Sequence, residues 1–154
     1  IDAVCQITGT FEGYSSAIPE PFTFIPKTQR SIMLADGSIS SSFLEMFGRP
    51  GRDTSYESER NNEVSVFQSM HMLNSSHFQD KIMKSPLLKQ LLRRERNDAA
   101  RVNELYLHIL SRYPTKEEKR ALSDYVRTSG LSSDDVAYDL AWCLINGKEF
   151  ILRH

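Results

Sequence analysis

The segment from Asp98 to His154, DAARVNELYLHILSRYPTKEEKRALSDYVRTSGLSSDDVAYDLAWCLINGKEFILRH, decides the fold class. Ala99, Val102, Leu105, Tyr106, Ile109, Leu110 and Tyr113 recur every three to four positions, which is the spacing of one face of an α-helix. Asp98 is placed to cap this helix, and Pro114 stops it. Thr115-Lys116-Glu117-Glu118 is a capping box, in which hydroxyl and carboxylate each bind the other's backbone N–H. It opens a second helix with Ala121, Leu122, Tyr125 and Val126 inward, ended by Gly130. Ser132 or Ser133 caps a third, which carries Val136, Leu140, Ala141, Leu144 and Ile145. Asn146-Gly147 interrupts it, and KEFILRH finishes the chain. Links this short favour antiparallel neighbours, so the segment predicts a helical bundle.

Upstream, Ser85-Pro86 starts another helix, with proline at its first position and Leu87, Leu88, Leu91 and Leu92 inward. RRERND follows as a polar break. From about Glu63 to Ser76 the pattern is again helical, with Val66, Phe67, Met70 and Leu73 on one face. Asn74 and His77 fall on that same face, as polar groups near the core, whereas Gln68, His71 and Ser75 fall on another. Serines 40 to 42 cap a short helix with Phe43, Leu44, Met46 and Phe47 inward, closed by Gly48. Residues 30–39, RSIMLADGSI, read as a small β-hairpin turning at Asp36-Gly37. Before them, Pro19, Pro21 and Pro26 sit among Phe11, Tyr14, Phe22 and Phe24. Proline fixes φ and removes a donor, so this arm is expected to run extended, anchored by its aromatics. Residues 1–9 read as the end of a helix stopped at Gly9.

The expected architecture is therefore mostly α: a helical bundle with an extended Pro-rich N-terminal arm and a small β-hairpin. A chain of 154 residues suffices for a single domain with its own core. Its parts are the arm and hairpin (1–39), a polar loop with helices (40–97) and the three-helix segment (98–154). Because the chain opens on Ile1 within a helical pattern, it is expected to be the C-terminal fragment of a larger protein.

The totals exclude some functions. A net charge of −1 gives no electrostatic basis for binding nucleic acid. No apolar run approaches the roughly 20 residues that span a bilayer. Cys5 and Cys143 are the only cysteines, and neither belongs to a C-x-x-C pair. This removes zinc knuckles, thioredoxin motifs and c-type haem attachment from the chain. Burial as small hydrophobes is expected for both, with a single disulfide as the alternative.

One stretch could carry chemistry. GRPGRDTSYESERNN, residues 48–62, is a long polar segment without periodicity, and loops of that length are usually functional or disordered. Arg49, Arg52, Asp53, Glu59, Arg60, Asn61 and Asn62 are its candidates. Arginine presents a rigid fork of donors suited to carboxylates and phosphates, so the loop could bind an anionic or sugar-like ligand near the next helix N-terminus. The same residues could equally form ion pairs that pin the loop down. Gln68, His71, Asn74 and His77 extend the candidate list. The six-residue spacing of His71 and His77 turns them about 120° apart on one helix, so a shared metal would require a break between them. No metal site is expected, and no serine sits in a nucleophile elbow. Whether the chain is an enzyme stays open at this level.

The blocks SSFLEMFGRPGRDTSYESERNN, HMLNSSH, NELYLHILSRYPTKEE and WCLINGKEFILRH occur in this order along the chain. Together they resemble the C-terminal module of the bacterial planctomycete-cytochrome-associated family, catalogued as domain of unknown function 1553. The resemblance implies an exported multidomain protein, periplasmic or otherwise extracytoplasmic, whose upstream domains, a c-type cytochrome domain among them, would be this chain's partners. It implies no cofactor within this fragment. The functional expectation is a structural or interaction module. The alternative is a ligand-binding or catalytic domain using loop 49–62 and His71, acting on carbohydrate or with the cytochrome domain. Val102 to Phe150 is also similar to helical packing units of bacterial surface proteins.

Overall fold

Helices dominate the computed structural model, which describes residues 1–16, 18, 24–34, 39–49, 65–95 and 97–153. The chain divides into two compact units, one comprising Ile1–Cys5 and Phe11–Ser75, the other Gln6–Thr10 and Ser76–His154. Helix α1, Asp2–Thr8, supplies residues to both and ends at Gly9 with φ +66°, as its sequence predicts.

In the first unit, strands β1 (Ser15–Ser16) and β2 (Ile39–Ser40) pair antiparallel, Ser15 opposite Ser40 and Ser16 opposite Ile39. A small two-stranded element is thus present, but not as a local hairpin. Residues 31–33, read as its first strand, form a 3-10 turn. The reason is Asp2, whose carboxylate accepts the N–H of Ser31 at 2.8 Å and of Ile32 at 3.1 Å. Burial opposes the charged form of Asp2, yet these backbone donors prevail and hold its pKa below the ordinary value. Burial, then the negative charges of Asp2 and Glu12, pushes the nearby Tyr14 phenol up to about 12. The turn dipeptide Asp36-Gly37 lies outside the described residues, as do Pro19, Pro21 and Phe22. Phe11 and Phe24, expected to anchor the arm, are exposed, and Gln29 N–H bonds back to Pro26 O at 2.9 Å in a turn.

Helix α2, Ser42–Met46, is capped by Ser41, buries Phe43 and Leu44, and closes through Gly48 at φ +85°. The expected helix over 63–76 is in fact two. Helix α3 runs Val66–Asn74 from a capping box between Ser65 and Gln68, and α4 runs Ser76–Met83. Ser75, with extended backbone, separates them. The predicted inward face of α3 is reversed: Val66, Phe67, Met70 and Leu73 are exposed, Phe67 at 76%, and Met72 is the buried residue. Asn74, expected near the core, is exposed as well.

The second unit contains α4, α5 (Pro86–Arg94), α6 (Asp98–Leu110), α7 (Lys116–Ser129), α8 (Ser133–Ile145) and α9 (Lys148–Arg153). Helix α8 is the hub, packing on α6, α4 and α9. Its buried side Val136, Ala137, Leu140, Ala141, Leu144 and Ile145 matches the sequence stripe. Leu105, Tyr106, Ile109 and Leu110 do the same for α6, although Tyr113 is exposed because α6 stops at Ser111 in the left-handed region. Asn97 is the cap of α6, accepting from Ala99 and Ala100 N–H, and Asp98 is displaced into the first turn. On α5, Leu88 and Leu92 are buried and Leu87 is exposed over Gly9.

Ser85 ties two elements of this unit together. Its hydroxyl caps α5 by accepting Leu88 N–H at 3.0 Å and donates to Thr8 O at 2.6 Å, while His108 Nε2 donates to Ile7 O at 2.7 Å. Two of the orphan carbonyls at the end of α1 thereby find donors. Ser85 and Thr8 are fully buried. Replacing Ser85 by alanine removes the α5 cap and the buried hydrogen bond to Thr8 O, so Ser85→Ala should cost about 2 kcal/mol. Chemical denaturation followed by Trp142 fluorescence measures it, and a loss below about 0.5 kcal/mol would contradict this account.

Candidate functional site

Five of the sequence candidates, Arg49, Gln68, His71, Asn74 and His77, fall among the described residues. Arg49 donates from Nη1 to Ile39 O at 3.0 Å, and its N–H closes α2 on Leu44 O at 2.8 Å. Gln68 is a capping residue: its Oε1 accepts Ser65 N–H at 3.2 Å, and its Nε2 donates to Met46 O at 2.9 Å. The His71 ring lies beside Phe43 and Phe47, with centroids 5.8 and 6.4 Å away. Asn74 is the last residue of α3. His77 is on α4 and meets Phe78 edge-on at 5.6 Å. The break that a shared histidine metal site would require does exist at Ser75. Among the described residues, however, no group of three or more His, Cys, Asp or Glu could hold a metal. Arg52, Asp53, Glu59, Arg60, Asn61 and Asn62 lie outside the described residues.

Two arginine clusters in the second unit escaped the sequence reading. Arg112 donates from Nε and Nη2 to Glu149, and from Nη1 and Nη2 to Glu118, at 2.7–3.1 Å. A further bond runs to Tyr113 O, and the guanidinium carbon lies 5.3 Å from the Tyr106 ring centroid. The end of α6, the start of α7 and α9 meet on one side chain. The hydrogen bonds with Glu118 and Glu149 raise the Arg112 pKa, and those from Arg112 hold Glu118 down to about 2. The only hint in the sequence was Glu118, the carboxylate of the capping box, whose second task is this pairing.

Arg101 makes the second cluster at the opposite end of α6. Its Nε donates to Glu95 O at 2.6 Å and its Nη2 to Leu92 O at 2.9 Å, satisfying carbonyls at the end of α5. Nη1 reaches Ser133 Oγ and Asp134 Oδ1 at 2.9 and 3.0 Å, and Asp98 receives the Ser133 hydroxyl. Helices α6 and α8 therefore start side by side. No signal in the sequence pairs Arg101 with residues more than thirty positions away.

Beside the Arg101 cluster, α6, α7 and α8 line a groove of about 270 Å³. Its walls include Leu105, Leu122, Val126, Leu131, Val136 and Leu140. Helix α7 buries none of its residues, contrary to the inward face expected for it: Ala121, Tyr125 and Val126 are exposed and Leu122 is half-buried. Beyond the Arg112 cluster it is attached by Tyr125 Oη donating to Asp139 at 2.7 Å. The two cysteines are free; Cys5 is half-buried and Cys143 is exposed rather than inside, although burial of its sulfur and the charge of Asp139 push its pKa up.

The described side chains thus define a class: a helical domain in which Arg101 and Arg112 clamp helix ends together and α6, α7 and α8 line a largely apolar groove. The chain belongs to the family described as protein of unknown function (DUF1553), whose sequence model matches residues 10–126. No curated protein and no solved structure matches it. None of the described helices is long and apolar enough to cross a membrane.

Proposed function

We propose that this chain is a non-catalytic interaction module of an exported multidomain protein and that it packs against domains encoded upstream of it. The carrying observation is α7, a two-ended amphipathic helix that is clamped by Arg112 yet buries no residue. An amphipathic helix gains its stability by burying its apolar face, and an apolar face left open marks a place where something docks. The engagement of Arg49, Gln68, Arg101 and Arg112 in caps and clamps supports the same reading. Export, and the company of a c-type cytochrome domain, rest on the family resemblance alone. The test is co-expression with the polypeptide encoded immediately upstream, followed by size-exclusion chromatography with light scattering. A stable one-to-one complex is expected; independent migration of the two would refute the module reading.

A further inference from the structure

We infer that α7 is a strap that opens on its own: Lys116–Ser129 detaches from α6 and α8 and melts while the helices beneath stay packed. The device belongs to this chain alone and needs no partner. Three observations carry it. The first is packing. Helix α7 is 14 residues long and buries none of them, whereas the 13-residue helices α6 and α8 bury four and six. Most helical stability in a protein comes from tertiary burial of an apolar face, and a free helix of about 14 residues is marginal in water. Helix α8 packs chiefly on α6, α4 and α9, and α7 stands outside that set.

The second observation is attachment. Apart from the bonds in its own caps and turns, two side chains tie α7 to the unit among the described residues. Glu118 accepts from Arg112 at the start of the helix, and Tyr125 donates to Asp139 further along. Glu118 is 31% exposed and Tyr125 40%, so water competes for both bonds. The remaining side-chain bonds stay inside the helix: Ser123 to Lys119 O, Thr128 to Asp124 O, and Arg127 to the Asp124 carboxylate. The third observation is where the chain can pivot. Pro114 is buried and holds the entry, and Thr115 just after it is exposed. At the exit, Gly130 stands at φ +66° with open space beside it, and Leu131 and Ser132 are exposed. Both ends can therefore turn without disturbing a core. Opening bares Leu105, Val136 and Leu140, buried groove walls that share the groove with Leu122 and Val126 of α7. The strap thus governs when these walls meet water.

The experiment is amide hydrogen exchange of the full chain in increasing, sub-denaturing urea, followed by mass spectrometry of its peptides. Amides of residues 120–129 are expected to exchange at least about a hundredfold faster than those of 137–145. They should do so together, and with a shallower urea dependence, because opening the strap exposes less surface than unfolding the unit. Ile145→Val separates the two events. Ile145 is fully buried and does not line the groove, so it stays packed when α7 opens. The variant should speed exchange in α8 by about twofold to tenfold and leave α7 at the parent rate. Tyr125→Phe, at an exposed position, removes the bond to Asp139 and should speed exchange across α7 several-fold. A common rate for α7 and α8, equal acceleration of both by Ile145→Val, or no response of α7 to Tyr125→Phe would overturn the inference. So would exchange that slows gradually from Ser129 inward, because that is fraying of one end and not release of a strap.

Discussion

Ile145→Ala lowers the unfolding free energy of the unit containing α8 by about 3–4 kcal/mol, the largest loss expected from any single truncation considered for this chain. Ile145 is 0% exposed, and Ala141, one turn earlier, is equally enclosed. The helix that carries them packs on α4, α6 and α9 at once, so the wall around a missing side chain cannot collapse from one direction. The removed methylenes cost their transfer free energy, and the cavity left behind adds to it. Trp142, the only tryptophan, stands on the same helix and reports on this unit. Urea unfolding followed at its emission, with Leu152→Ala as the exposed control at 81%, measures the difference. The control should change by less than about 0.5 kcal/mol. If Ile145→Ala is as mild as Leu152→Ala, α8 is not the hub of its unit.

Arg112→Ala comes next, at about 2–3 kcal/mol. Breaking a fully buried ion pair costs about 3–5 kcal/mol because it strands a charge. Here Arg112 and both carboxylates are each about a third exposed, so water recovers part of that penalty. Arg112→Lys should recover only a fraction, because an ammonium cannot chelate Glu118 and Glu149 with parallel bonds. The pH dependence distinguishes the clamp from simple packing. Glu118 is depressed from 4.5 to about 2, so it binds protons less readily in the folded chain than in the unfolded one. Its contribution is complete above pH 4.5 and is lost as pH falls towards 2. The stability gap between the parent and Arg112→Ala should therefore be constant from neutral pH to about pH 5 and narrow below it. A gap that persists unchanged at pH 2.5 would mean that Arg112 acts through its contact with Tyr106 and not through its carboxylates.

The local devices of the helices were legible because each is written within a few residues. The Thr115–Glu118 box, Pro86 at the first turn of α5, Gly9 and Gly130 as stops, the α8 stripe and the middle of the α6 stripe, from Leu105 to Leu110, stand where their residues put them, whereas Ala99 and Tyr113 at its ends are exposed. The failures share one cause. The α3 stripe Val66, Phe67, Met70 and Leu73 and the α7 stripe Ala121, Leu122, Tyr125 and Val126 follow helical spacing correctly, yet all but half-buried Leu122 are exposed. Periodicity says that a face is apolar; it does not say that anything lies opposite. The hairpin misreading is similar. Residues 31–34 alternate like a strand, but the carboxylate of Asp2, some thirty positions away, supplies turn acceptors that no local pattern contains.

The candidate site divides along the same line. Arg49, Gln68, His71 and His77 were recognised as chemically capable residues, but capability is a property of the side chain and engagement a property of its neighbours. Tertiary structure gave Gln68 to a cap, Arg49 to the β2 carbonyl and the histidines to phenylalanine rings. It also made clamps of Arg101 and Arg112, which nothing in the sequence distinguishes from solvated charges. Sequence alone determined the helical class, the element boundaries set by caps and prolines, and the family. Which arginines hold the helices, which apolar faces stay open and where a groove remains were decided only by the fold, because hydrogen bonds and burial depend on residues brought together from distant positions.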